Sequence, residues 1–338
     1  MARTTQRRKE RIDRGINVRT EGIYALMSFK ELSYLSAPRL VLIVGLLALP
    51  LVLPDMYWKR VITITCIYAF LALSFDFLAH FVGLVSLGGA FFVGVGGYLA
   101  AIANTAWGFS PWVTVPFAAI VGGAVCTLLL FPCLPLRGVY FAIVSLMYPL
   151  FSARVIEALD IFGGTDGILG IDGFPNSFIE QYAPVGLLLV ALFAVRRLVN
   201  TDIGLVLRGV KDNDQAIRAS GMNVTFYKSV AVYIASSMGC LSGAILVHIY
   251  MWSGISQFAL DFSILPIAAT VIGGSGTLIG PVLGCFILVP ISELLRDFGT
   301  LRIVFYALIL VGFIIFRSEG LMVWGQRKYH QFERWTKI

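Results

Sequence analysis

The runs "GLLLVALFAV" (186–195) and "FYALILVGFIIF" (305–316) contain no charged residue and no apolar–polar alternation. A strand of a membrane barrel alternates over about ten residues. These runs do not, so they read as helix, which pairs its own backbone groups inside lipid. The whole chain agrees. Of 338 residues, 58% are hydrophobic and 13% charged, against about 25% charged in soluble domains. The fold class expected is an all-α integral membrane protein.

A spanning helix needs about 20 largely apolar residues. Ten segments approach this: 39–53, 61–80, 84–103, 112–133, 139–159, 183–199, 224–250, 264–277, 278–295 and 301–316. They define a membrane domain over 39–316, between a basic segment 1–38 and a basic tail 317–338. No apolar core or cleavage site precedes Pro38, so 1–38 does not read as a signal peptide. Orientation of the first span accounts for its charge, and no nucleic-acid partner is expected.

Orientation follows the Lys/Arg bias. Nine Lys/Arg residues precede or open the first segment. With both termini cytosolic, Arg137 falls inside, as do Arg196, Arg197, Arg208, Lys211 and Arg218, and the tail from Arg317 to Lys337. The longest outside loop, 160–182, has four acids and no Lys or Arg. Lys59, Arg60, Arg296 and Arg302 are the exceptions. The plan divides into two five-helix halves, whose odd number makes any internal repeat inverted. Each half holds a Gly-rich, kinked element.

Gly276, Gly280 and Gly284 repeat every four residues beside Pro281, which interrupts the helix ladder. They suit close helix packing with a kink, and equally a broken helix lining a path. Asp76 and His80 share one helix face. They are either a pair satisfied near the membrane surface or a proton relay. His248 and Glu293 stand alone near outer span ends. No P-loop, zincin or serine-hydrolase motif occurs, and no catalytic group stands out. Cys66, Cys126, Cys133, Cys240 and Cys285 lie scattered in apolar runs and fit neither a metal site nor a disulfide framework. The turn-rich "GGTDGILGIDG" (163–173) is a connecting loop, or a gate or docking surface for an external partner.

The charged island "LRGVKDNDQAIRASGMNVTFYK" (207–228) reads in two ways, as a solvated loop or as a docking knob. Asp212 and Gln215 are spaced as a capping box, so a short helix starts after Asp212. Gly221 suits its end and Asn223 caps the next span. A first short helix covers 204–210. Leu207, Val210 and Ile217 share an apolar face, with Arg208, Lys211, Asp214 and Arg218 turned to water.

Six stretches together resemble one family. They are "GLVSLGGAFFVGVGGYLAA" (83–101), "LRGVYFAIVSL" (136–146), "GGTDGILGI" (163–171), "GLVLRGVKDNDQAIRASGMNVTFYK" (204–228), "SGAILVHIYMWSGIS" (242–256) and "VIGGSGTLIGPVLG" (271–284). In this order they resemble the LivM-type permease subunits of branched-chain amino acid importers of the ATP-binding cassette class. The resemblance covers roughly 61–316. It implies a second, related permease, two cytosolic ATPases that bind the ATP, a binding protein outside, and a bacterial inner membrane. It makes 203–221 the coupling helices, with Gly204, Arg208, Lys211, Asp214, Arg218 and Gly221 as ATPase-coupling residues. Gly89 stands where members of the family often carry His, and Leu205 where they often carry a basic residue. Small or polar character and position suggest Ser86, Gly88, Gly89, Tyr140, Ser145, Gly273 and Gly274 for the translocation path. No metal and no cofactor of the chain's own is expected. Imported solutes in the family include branched-chain amino acids, urea, short amides and aromatic acids. The competing reading is an ion-gradient carrier with Asp76 as its titrating group.

Overall fold

The computed structural model describes residues 43–48, 50, 55–136, 138–299, 301–316, 320–325 and 327–328. The chain divides into two units, 1–46 with 329–338, and 47–328. In the first, the described residues 43–46 are helical. The expected span 39–53 and the basic segments 1–38 and 317–338 lie largely outside the described residues. The second unit holds the helical bundle.

Its helices in chain order are α1 (Met56–Val82), α2 (Gly89–Trp107), α3 (Pro111–Cys133), α4 (Val139–Leu159) and α5 (Ser177–Val199). Then come α6 (Asp202–Ala219), α7 (Val224–Tyr250), α8 (Asp261–Gly273), α9 (Ile279–Leu294) and α10 (Leu301–Phe316). Among the described residues no strand forms. Ile168 and Ser253 make an isolated antiparallel bridge.

Seven helices among the described residues are long and apolar enough to cross a membrane: α1 to α5, α7, and α8 taken with the short turn before it, Ile255–Gly273. They correspond to the second to eighth expected segments. Among the described residues the count of ten is not reached, the first expected span lying largely outside them. With 16 residues each, α9 and α10 span about 24 Å, less than a hydrocarbon core of about 30 Å.

Prolines and glycines set the local breaks. In α3, Pro116 lacks the N–H that would continue the ladder, and a π turn follows at Ala118–Gly122. α1 closes in a π turn, Phe77–Val82, and stops at Gly83 with φ +80°. The next five residues are not helical, so α2 begins at Gly89 rather than at 84. The expected segment 264–277 likewise divides: α8 ends at Gly273, and residues 274–278 are irregular before α9.

α1 and α7 form the centre, with 83% and 72% of their most apolar windows buried, whereas α4 and α5 lie on the perimeter at 28% and 22%. Backbones touch where α2 crosses α7. A Cβ on Gly96 would fall on the Cys240 backbone, and one on Gly243 on the Val93 backbone. Small residues allow such approach, which membranes use where apolar burial gives no drive.

Candidate functional site

Three features stand apart from simple helix packing: the α6 knob, the two points where a broken helix restarts, and the loop platform at the far end of α7.

The knob is α6. Its backbone leaves helical geometry at Asn213, with φ −157° and ψ 97°, so it is two short helices as expected. The cap is one residue later than expected. Asn213 Oδ1, not Asp212, accepts from the N–H groups of Gln215 and Ala216, at 3.1 and 3.2 Å. At the far end Gly221 has φ +85°. Its N–H donates to the Arg218 carbonyl and that of Met222 to the Ile217 carbonyl. This is a Schellman end, which needs the left-handed residue that glycine supplies. Asn223 Oδ1 then accepts from Phe226 N–H at 3.2 Å and caps α7.

Gly204, Leu207 and Val210 are buried, and Arg208, Lys211 and Arg218 are exposed. Asp214 departs from expectation: it is buried, not turned to water. Its Oδ2 lies 3.9 Å from Nζ of Lys228, itself buried on α7, and 4.0 Å from an Arg218 guanidinium nitrogen. A buried carboxylate needs such cations nearby. The knob also rests on the end of α1. The Arg208 guanidinium lies 5.5 Å from the Phe81 ring centre. The Lys211 stem packs against Gly83, with atoms 3.1 to 3.4 Å from where a Cβ would sit. A cleft of about 350 Å³ opens between the knob, Gly83 and Gly138, with Lys211, Asp214 and Lys228 among its walls.

Both helix restarts are held by side chains from elsewhere in the fold. At α2, Leu87 N–H donates to Ser145 Oγ of α4 and Ala90 N–H to Ser263 Oγ of α8, both at 2.9 Å. Gly88 N–H reaches Ser86 Oγ at 3.3 Å. At α9 the acceptor is the fully buried Asp76. Its Oδ1 takes Gly276 N–H at 2.6 Å and its Oδ2 takes Leu278 N–H at 3.3 Å. His80 Nδ1 lies 3.3 Å from the same carboxylate, out of line for a hydrogen bond. Asp76 therefore ties down the break just ahead of α9, whose first-turn Gly280 N–H goes to Thr277 Oγ1 at 2.9 Å. α8 and α9 fold into a tight hairpin, because a Cβ on Gly273 would overlap the Gly280 carbonyl and one on Gly284 that of Ala269.

Of the proposed path residues, Ser86, Gly88, Gly89 and Ser145 meet at the α2 restart. Gly273 and Gly274 are buried at the α9 restart. Tyr140 joins neither and is 72% exposed on the perimeter. Ser263 carries no mark in the sequence, because its partner lies 173 residues away and no local pattern points to it. Asp76 stands out in the sequence, but not as a cap.

The platform is the loop 160–176 laid on the stretch after α7. Ile168 and Ser253 exchange two backbone hydrogen bonds, at 2.7 and 3.1 Å. Trp252 Nε1–H donates to the Asp166 carbonyl at 3.1 Å. Asp172 is gripped by Asn104, whose Nδ2 donates to its carboxylate at 3.1 Å. His248 is not solitary: its Nδ1 lies 2.7 Å from the Asp172 carbonyl oxygen and its Nε2 2.6 Å from Thr114 Oγ1. Asp160, Phe162 and Met251 hold φ between 49° and 54°, a strained choice for non-glycine residues. Among the described residues, no group of His, Cys, Asp or Glu could hold a metal ion.

The family model described as branched-chain amino acid transport system / permease component matches residues 57–316. A high-affinity branched-chain amino acid transport system permease protein, LivM, of Salmonella typhimurium is 29% identical over 77% of this chain and 68% of its own length. Its Escherichia coli counterpart is 28% identical over 83% and 74%. A tyrosine transport system permease protein of Clostridioides difficile is 28% identical over 30% of this chain and 35% of its own. No solved structure shows a significant match. A family match running from the first turn of α1 to the last residue of α10, on a bundle whose described residues include seven helices long and apolar enough to cross a membrane, makes this multi-pass membrane protein a member of the family of branched-chain amino acid transport permease components.

Proposed function

We propose that the chain is the permease subunit of an ATP-binding cassette importer and forms half of a translocation path for branched-chain amino acids or similar small polar solutes such as urea and amides. The observation that carries this, beside the family, is the α6 knob. It presents Arg208, Lys211 and Arg218 outward, while Leu207 and Val210 tie it into the bundle. A solvated loop has no need of a Schellman end, an Asn213 cap and a buried Asp214–Lys228 pair. A lever that must transmit force without bending does.

In this reading two five-helix halves sit in a bacterial plasma membrane with both termini cytosolic, α9 and α10 entering it without reaching across its full hydrocarbon core. Two cytosolic ATPases bind and hydrolyse ATP, and the chain itself carries no catalytic residue and no cofactor. A second, related permease completes the pore, and an external binding protein delivers solute to the platform side. Closure of the ATPases moves α6. The movement enters α1 at Phe81 and Gly83, through Arg208 and Lys211, and reaches the two restarts. There Ser86, Gly88, Gly89 and Ser145 on one side, and Gly273 and Gly274 on the other, border the path.

The test is charge reversal on the exposed side of the knob. Arg208→Glu with Arg218→Glu should leave insertion intact and abolish both ATP-driven uptake and solute-stimulated ATPase activity in the assembled complex. Undiminished uptake would remove α6 from the coupling route. Uptake driven by a pH step in vesicles without ATP would replace the importer by a secondary carrier.

A further inference from the structure

The backbone between α7 and α8, residues 251–260, is irregular apart from one short turn, Ile255–Phe258. That turn opens the membrane-crossing stretch Ile255–Gly273. Irregular backbone at membrane depth is tolerated where it is buried in protein or borders an aqueous path. Here it is seated on α2. The Phe258 ring and the Gln257 amide occupy the positions a Cβ would take at Gly94 and Gly97.

Beside this seat stands Tyr98 of α2. Its ring stacks on Phe258, centroids 5.8 Å apart, and meets Phe162 of the platform loop at 6.2 Å. The residue is 5% exposed, and its hydroxyl has no hydrogen-bond partner among the described residues. A buried, unpaired hydroxyl disfavours the fold by about 1–3 kcal/mol. Phenylalanine at this position would keep both ring contacts without that cost, so the hydroxyl serves something other than the packing around it. Its position fits a group that works when the aromatic cover is open: it stands on the Gly-rich helix that starts at the proposed path residue Gly89, about 13.5 Å further along it, under two rings from two irregular segments.

We propose that the Tyr98 hydroxyl contacts the solute in the translocation path and helps set specificity, donating a hydrogen bond to a carboxylate or carbonyl oxygen once Phe258 and Phe162 move aside. This rests on the importer reading. The test uses Tyr98→Phe in the complete complex, reconstituted in vesicles with its ATPases and binding protein. The probes are radiolabelled L-leucine, L-tyrosine and urea. With whichever probe the wild type accumulates, the variant should take up solute about tenfold more slowly at saturating binding protein, the loss expected for one hydrogen bond to a charged group. Basal ATPase activity should be unchanged, and the unfolding temperature equal or higher. Equal uptake by variant and wild type overturns the proposal alone. So does a slower uptake matched by a falling unfolding temperature or basal ATPase activity, which gives the hydroxyl a structural role. A wild-type complex that accumulates none of the three with ATP overturns the importer reading and this proposal with it.

Discussion

The two helix restarts solve one problem with different chemistry. The first turn of any helix leaves N–H groups without intrahelical partners, and its end carries partial positive charge. At α2 the partners are neutral hydroxyls from α4 and α8. Just ahead of α9 the Gly276 and Leu278 N–H groups go to a carboxylate on α1, wholly enclosed, while the first-turn Gly280 N–H goes to Thr277 Oγ1. The α9 end thus has a carboxylate beside it, tied to the two N–H groups just before the helix, whereas the α2 end is satisfied by neutral hydroxyls and keeps its dipole. Each restart is capped from the other half of the chain, since Ser263 follows the knob and Asp76 precedes it. Motion of one half relative to the other must therefore strain a cap. The neutral one at α2 is the cheaper to loosen.

That contrast can be broken by mutation. Asp76→Ala leaves two N–H groups with no acceptor and should cost about 3 kcal/mol, as charged hydrogen bonds are worth about 1.5–3 each. Thermal unfolding in detergent reads this. Asp76→Asn keeps one acceptor oxygen and should recover part of it, with uptake retained. If Asn matched Ala, charge rather than acceptor geometry would be what α9 requires.

A smaller effect tests whether cations hold a buried carboxylate as firmly as N–H groups do. Asp214→Ala should cost about 2 kcal/mol, below the roughly 3–5 kcal/mol of a well-formed buried pair because its contacts are near 4 Å. Replacing both partners, Asp214→Leu with Lys228→Met, should be closer to neutral, since no unpaired charge then remains. A double variant as unstable as the single one would mean the pair is not the knob's main tie to α7.

The smallest effect belongs to the neutral restart. Ser263→Ala or Ser145→Ala should each cost about 1 kcal/mol, as for loss of a helix cap. A loss as large as that of Asp76→Ala would erase the distinction between the two restarts.

Some of this was legible in the residues. The limits 139–159 and 224–250 are those of α4 and α7, because each apolar run starts where a Gly138 or an Asn223 punctuates it. The ends of the knob were legible too, since the Gly221 stop and the Asn223 cap act within a few residues. The shift from Asp212 to Asn213 shows the grain of such reading: both side chains can cap, and the kink settles which one faces the free N–H groups. Asp214 could not be read from local pattern, because spacing put it with the exposed charges while Lys228 of α7 draws it inward.

Composition and periodicity alone determined that the chain is helical, that it belongs in a membrane, and that one compact charged element interrupts it. These follow from transfer energies and from contacts between residues close in sequence. The tertiary structure decided where helices break. The glycines of 83–88 and 274–278 permit a break, since Gly83, Gly274 and Gly276 take positive φ, but glycines also stand inside α2 and α9, where the helix continues. The two stretches unwind where Ser145, Ser263 and Asp76, 58 to 200 residues away, supply the acceptors that a continued helix would otherwise provide.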